Sequence, residues 1–209
     1  MALVGTFIVL TGIDGCGKTT QINRLMDELK KMGLSSLSIK LSTVKLASYE
    51  ELLEKYDHEF YKYSKNSHRL LFECLSMKEK INQYLVPQIN TCSFLFADRY
   101  LESIFGISRQ YEEGQKIIDY VFDGILKPDI AFLLDTDIQK AYNRMLLRNS
   151  ISKEEITSKE VLKIMEHYYK NEFFFYPFTK IDGNGNVGDI TEAILYTILN
   201  KGESKNGII

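Results

Sequence analysis

Residues 12–19 read Gly12-Ile13-Asp14-Gly15-Cys16-Gly17-Lys18-Thr19, a complete G-x-x-x-x-G-K-[ST] string between the apolar run Phe7-Ile8-Val9-Leu10 and an amphipathic stretch. Nothing else in the chain restricts its fold as much, because this spacing works where a buried strand ends in a tight turn and a helix begins. Such a turn gathers backbone N–H groups into one concavity, and the positive end of the helix adds to their pull on phosphate oxygens. In that setting Lys18 is placed to reach the β- and γ-phosphates of ATP and Thr19 to hold Mg²⁺. Gly12, Asp14, Gly15, Cys16, Gly17 and Thr20 complete the nucleotide-binding loop.

The rest of the chain alternates strand and helix. Ile22, Leu25, Met26, Leu29 and Met32 fall at i, i+3, i+4, i+7 and i+10, and Gly33 supplies a stop. Leu37, Ile39 and Leu41 alternate as a strand does. Phe94-Leu95-Phe96-Ala97 and Ile130-Ala131-Phe132-Leu133-Leu134 are continuous apolar runs, the mark of parallel strands covered on both faces. Phe178 to Ile181 is the fifth expected strand. Helices are expected near residues 68 to 85, 101 to 125, 137 to 148 and 158 to 174. A last one begins at Asp189, with capping-box spacing to Glu192. The predicted fold class is α/β: a P-loop-type doubly wound sheet of about five parallel strands with helices on both faces, in one domain over residues 1–209. Ligands of such sheets bind beyond the carboxyl ends of the strands, where the phosphate loop lies.

Composition narrows the surroundings. With 26 Lys and Arg against 28 Asp and Glu, the formal net charge of −2 gives no basic excess for nucleic acid. No stretch approaches the roughly eighteen apolar residues of a membrane span. The run before Leu10 lacks a basic n-region and is read as the first strand, not a signal peptide. Cys16, Cys74 and Cys92 are odd in number and lack C-x-x-C spacing. They suggest neither a disulfide frame nor a zinc site, and a cytoplasmic setting fits. Cys16 is read as a packing residue in the loop, and the run Tyr168-Tyr169 and Phe173 to Tyr176 as core.

Two further constellations carry chemistry. Asp98-Arg99-Tyr100 directly follows a buried run, where an acid orients Mg²⁺ or its waters and a guanidinium fork clamps an acceptor phosphate. Arg144 and Arg148 share a helix face at i, i+4 and would neutralise charge that spreads during transfer. The polar stretch after them, residues 149–160, is the candidate lid.

In order, these pieces resemble the thymidylate kinase family of nucleoside monophosphate kinases. The likeness runs from Phe7 to Thr20, through Leu70-Leu71-Phe72, Asp98-Arg99-Tyr100 with Ser103, Lys127-Pro128-Asp129, Leu133-Leu134-Asp135 and Arg144-x-x-x-Arg148 to Ile181-Asp182-Gly183. The resemblance implies ATP- and Mg²⁺-dependent phosphoryl transfer to a nucleoside 5′-monophosphate, dTMP above all. It places Asp14 and Arg99 at the acceptor, Asp98 at the metal, Arg144 and Arg148 in the lid, and Asp182-Gly183-Asn184 at adenine. It also implies a homodimer.

The chain departs from that pattern at identifiable positions. Thr11 stands where the family has Glu, and Leu41-Ser42-Thr43-Val44-Lys45 replaces R-E-P-G-G-T. Ser76 and Met77 stand where a base-reading Arg is usual, and Gly106-Ile107-Ser108 replaces Ala-Tyr-Gln. Gly15 takes the place of a loop arginine found in some members. The expected consequence is weak discrimination among pyrimidines, unless Arg69, Arg109 or Gln110 substitutes. A deoxynucleoside kinase is the alternative, but it needs a carboxylate base beside the loop; Thr11 offers none, leaving Asp14 or Asp98. The other alternative is a nucleotide-binding member that has lost catalysis or changed its substrate. A guanine-nucleotide switch lacks its base-reading segment, since Asn200-Lys201-Gly202-Glu203 ends in Glu.

Overall fold

The structure, a computed structural model, describes residues 5–41, 67–102, 104, 113–147, 159–171 and 176–206. Its centre is a five-stranded parallel sheet ordered β2-β3-β1-β4-β5. The strands are β1 (Thr6–Thr11), β2 (Ser36–Ile39), β3 (Phe94–Asp98), β4 (Ile130–Asp135) and β5 (Thr179–Asp182). β1 lies in the middle, with Phe7 opposite Leu95 on one side and Leu10 opposite Phe132 on the other.

Strand side chains alternate between faces, so an apolar run must be buried twice. Phe7, Val9, Leu95 and Ala97 pack against α2 (Ser67–Lys80), the π-helical turn Ile81–Leu85 and α3 (Gly114–Val121). Ile8, Leu10, Phe96 and Phe132 pack on the opposite face against α1 (Lys18–Lys31), α4 (Ile138–Leu146), α5 (Lys159–Asn171) and α6 (Val187–Asn206). The sheet is therefore covered on both sides, as a doubly wound fold requires. Among the described residues no helix is long and apolar enough to cross a membrane. Cys16, Cys74 and Cys92 are free and buried, and burial pushes the Cys74 thiol up to about 12.

Four local expectations are corrected. Of the helix expected over 101 to 125, the described residues show Glu102 and Ile104 as helical and a helix at Gly114–Val121, which ends short of 125 where the chain turns through Gly124 in the left-handed region at φ 68°. The last helix starts at Val187, not Asp189: Asn186 Oδ1 accepts from Asp189 N–H at 2.9 Å, and the Asn186 amide returns a bond to the Asp189 carboxylate. Asn186 is thus the N-cap, three residues before the expected start, with a side-chain bond to Asp189 in place of the backbone bond that would complete a capping box. Met32 lies beyond the apolar stripe, 52% exposed at the C-cap of α1. β2 stops at Ile39, leaving Leu41 buried past its end and Leu37 exposed at the sheet edge.

Candidate functional site

The phosphate loop connects the buried end of β1 to the first turn of α1. Gly12 and Gly15 have φ of +143° and +79°, a region that L side chains rarely adopt. Space is as limiting as backbone shape. A Cβ on Gly15 would fall 2.2 Å from the Ala141 carbonyl oxygen of α4, so an arginine has no room at this position. Gly17 caps α1 without a side-chain hydrogen bond, and no acid lies in the first turn. The N-terminal N–H groups and dipole thus face the loop without a resident anion, the arrangement that receives phosphate. Lys18 is buried, and its Nζ donates to the carbonyls of Gly12 at 3.2 Å and Ile13 at 3.1 Å. The ammonium curls over the loop within reach of whatever the loop holds.

β3 delivers Asp98 to the same place. Thr19 Oγ1 donates to Asp98 Oδ2 at 2.7 Å, while Asp98 Oδ1 is buried with no hydrogen-bond partner. A buried carboxylate oxygen left over beside a threonine hydroxyl fits the oxygen donor set of a hard divalent cation. Thr20, next along, is exposed.

The chain reverses immediately after Asp98. Among the described residues Arg99 alone of the non-glycines has positive φ, at 67°. Its N–H extends the strand ladder to the Leu10 carbonyl at 3.0 Å, and its guanidinium ion-pairs with Asp14 and donates to the Gly12 carbonyl at 3.3 Å. Burial works against the charge on Arg99, but Tyr169 first, then Asp14, Cys16 and Asp98, outweigh it and raise the pKa. Asp14 and Arg99, 85 residues apart, are thus brought together at the loop, where Asp98 also meets Thr19.

Arg144 closes the opposite rim. Its Nη1 donates to the Cys16 carbonyl at 3.1 Å and its Nη2 to the Gly183 carbonyl at 3.2 Å, so it ties the phosphate loop to the turn after β5. That turn is tightly built. Gly183 N–H donates to the Asp135 carbonyl, Asn184 binds Asp182 Oδ1 through both its backbone and side-chain amides, and Asn184 Oδ1 accepts from Asp137 N–H. The Asn184 donors hold the exposed Asp182 carboxyl below its ordinary value. The turn borders an open concavity of about 480 Å³ lined by Asp135, Asp137, Lys180 and Asn184.

The structure therefore gathers Gly12, Asp14, Gly15, Cys16, Gly17, Lys18, Thr19, Asp98, Arg99, Arg144 and Gly183 around one loop. Arg148, Ser103, Arg109, Gln110 and nearly all of the candidate lid lie outside the described residues. Of the two residues at the usual arginine position, Met77 is packed into the core and Ser76 is half-buried.

Thr11, Tyr169, Glu102 and Tyr176 join the site in ways the sequence reading missed. Thr11 Oγ1 donates to Tyr169 Oη at 2.9 Å, across 158 residues. Glu102 is 2% exposed and accepts from Tyr100 N–H and Tyr176 Oη, each at 2.6 Å. Burial pushes the Glu102 carboxyl up against the lowering pull of these donors and of Arg99. An acid two residues beyond a turn that needs its N–H groups held was the available clue. The tyrosines that complete both bonds come from distant segments, which no local spacing announces.

Known proteins place this architecture. The chain is 29% identical to the thymidylate kinase of a Sulfurihydrogenibium species, over 92% of this chain and 96% of that protein. It is 28% identical to the thymidylate kinase of Mycoplasmoides gallisepticum, covering 79% of this chain and 80% of that one. A probable thymidylate kinase of Pyrococcus horikoshii is 26% identical, over 91% and 94%. The family model described as Thymidylate kinase matches residues 10–194, a span that takes in the loop, the Asp98–Arg99 turn, Arg144 and the turn after β5, and the chain belongs to the thymidylate kinase family.

Proposed function

We propose that this protein is a nucleoside monophosphate kinase that transfers the γ-phosphoryl group of ATP to dTMP, giving dTDP and ADP. The family membership supports the reaction, and one observation in the site carries it: Asp98 and Arg99 are consecutive, yet face different partners, Thr19 and Asp14. The positive φ at Arg99 accompanies this divergence, which supports reading Asp98 as the metal-side carboxylate and Arg99 as the acceptor-side guanidinium.

In this reading the loop N–H groups and Lys18 cradle the β- and γ-phosphates, Thr19 and Asp98 hold Mg²⁺, and Arg99 clamps the acceptor phosphate with Asp14 orienting it. A Mg²⁺ held by Thr19 and Asp98 would supply positive charge to offset that of the phosphates. Arg144, one hydrogen bond from the loop carbonyl of Cys16, lies where charge spreads during transfer, and Arg148 and residues 149–160 act as the lid. The turn Asp182-Gly183-Asn184 borders adenine. A phosphate acceptor is already a nucleophile, so positioning and charge neutralisation suffice without a base.

A nucleoside acceptor is less well supported because Asp14 is ion-paired with Arg99, and the oxygen of Asp98 that has no hydrogen-bond partner is read here as a metal ligand rather than a base. A homodimer follows from the family, and the exposed Leu71 and Leu75, one turn apart on α2, supply an apolar face for it. The test is ADP release against a panel of nucleoside monophosphates and free nucleosides. dTMP is expected to turn over and thymidine is not. With Met77 in the core and no arginine at its place, the kcat/KM ratio of dTMP over dUMP or dCMP is expected below about a thousand, since one lost charged hydrogen bond relaxes discrimination by roughly ten- to a hundredfold. Turnover of thymidine in preference to dTMP overturns the assignment.

A further inference from the structure

Phosphoryl transfer as described gives Glu102 no task, yet it and Asp98 are the buried acids among the described residues. A carboxylate taken out of water is costly unless its oxygens are fully used, and a leucine would fill the space without that cost. Both oxygens here are used. Oε2 accepts from Tyr100 N–H and Oε1 from Tyr176 Oη.

The first of these bonds acts on the peptide that leaves Arg99. A non-glycine residue at φ 67° is strained and keeps that conformation when its surroundings over-determine it. On the N-terminal side, Arg99 N–H is pinned to Leu10. On the C-terminal side the orientation of the Arg99–Tyr100 peptide is set by Glu102, while the Tyr100 ring is anchored by Phe7, 5.2 Å between centroids, and by its hydroxyl on the Leu126 carbonyl. Tyr176, from the segment between α5 and β5, locks Glu102 in turn.

We propose that Glu102, held by Tyr176, is a positioning residue for the acceptor: it fixes the Arg99–Tyr100 peptide so that the Arg99 guanidinium stays on Asp14 and the Gly12 carbonyl, facing the incoming phosphate. This rests on the reading that Arg99 meets the acceptor. Glu102 touches no substrate and acts through Arg99.

Steady-state kinetics of Glu102→Ala, Glu102→Gln and Tyr176→Phe test it. Glu102→Ala is expected to raise the acceptor KM on the order of tenfold and leave the ATP KM within about twofold. Glu102→Gln is expected to stay within about threefold of wild type for both, because its carbonyl still accepts from Tyr100 and its amide donates to the Tyr176 oxygen. Tyr176→Phe, which keeps the carboxylate, falls between them and serves if the alanine variant does not fold. Equal rises in both KM values, or a glutamine variant as impaired as alanine, overturn the proposal. A wild type that turns over no monophosphate defeats the acceptor reading instead. The positioning claim is then decided by the Arg99 Nη2–H NMR signals, whose slowed exchange is expected to be lost in Glu102→Ala and kept in Glu102→Gln; signals unchanged in the alanine variant overturn it.

Discussion

The phosphate-loop end and the Arg99 end of this site are built by opposite means. At the loop, Lys18 bonds carbonyls five and six residues away, and glycines give the backbone its shape. At the Arg99 end the bonds join side chains 85, 74 and 158 residues apart: Arg99 to Asp14, Glu102 to Tyr176 and Thr11 to Tyr169. The loop's own backbone shape needs a strand and a helix, with Asp98 and Arg144 joining it from 79 and 128 residues away, whereas every one of these side-chain bonds at the Arg99 end is long-range. Damage at the loop is therefore expected to act on chemistry, and damage at the other end on acceptor geometry.

The largest expected effect is that of Lys18→Ala. Removing a preorganised cation from the transferring phosphate lowers kcat by about a hundredfold or more, with the circular dichroism spectrum unchanged. Near-normal turnover in a folded variant would remove the chemical half of the comparison. Arg99→Ala comes next, raising the acceptor KM by roughly ten- to a hundredfold while the ATP KM moves by less than about threefold. Parallel losses for both ligands would show that the two ends are not separable.

Gly183→Ala sharpens the contrast on the ATP side. A Cβ there would lie 2.0 Å from the buried Thr136 Oγ1, so the turn must shift, with roughly 1–3 kcal/mol of destabilisation. A several-fold rise in ATP KM with the acceptor KM unchanged is the expected kinetic signature, and a rise confined to the acceptor would contradict it. The smallest effect concerns pH. Because burial raises the Glu102 carboxyl in the folded protein, the unfolded chain releases its proton above about 4.3 while the folded chain keeps it. The wild type is then favoured most below that pH and loses this contribution as pH rises toward the folded value. Glu102→Gln has no proton to lose, so its melting temperature gains on wild type as pH rises above about 4.3, where the unfolded chain ionises first; parallel melting curves across that rise would show that the carboxyl is not raised.

Much of the fold could be read from the chain because its signals are local. The runs Phe94 to Ala97 and Ile130 to Leu134 lie within β3 and β4, and the string from Gly12 to Thr19 forms the turn between β1 and α1. Boundaries were harder to read. Asp189 was a good capping residue, but Asn186, three residues earlier, captured its N–H and lengthened α6. Long-range polar contacts were hardest. Tyr169 and Tyr176 read as core, and they are buried, yet their hydroxyls bond Thr11 and Glu102, pairings that only the folded sheet brings together.

β1 also has a consequence in time. All six of its residues are buried, and its sequence Thr-Phe-Ile-Val-Leu-Thr is uncharged, without proline and rich in strand formers. Its neighbours, β3 and β4, begin more than eighty and more than one hundred residues later. At a synthesis rate of about 5–20 residues per second, the central strand waits on the order of 4–16 s for its first partner and longer for its second. During that interval it is the segment with most to gain from a chaperone and most to lose to another nascent chain.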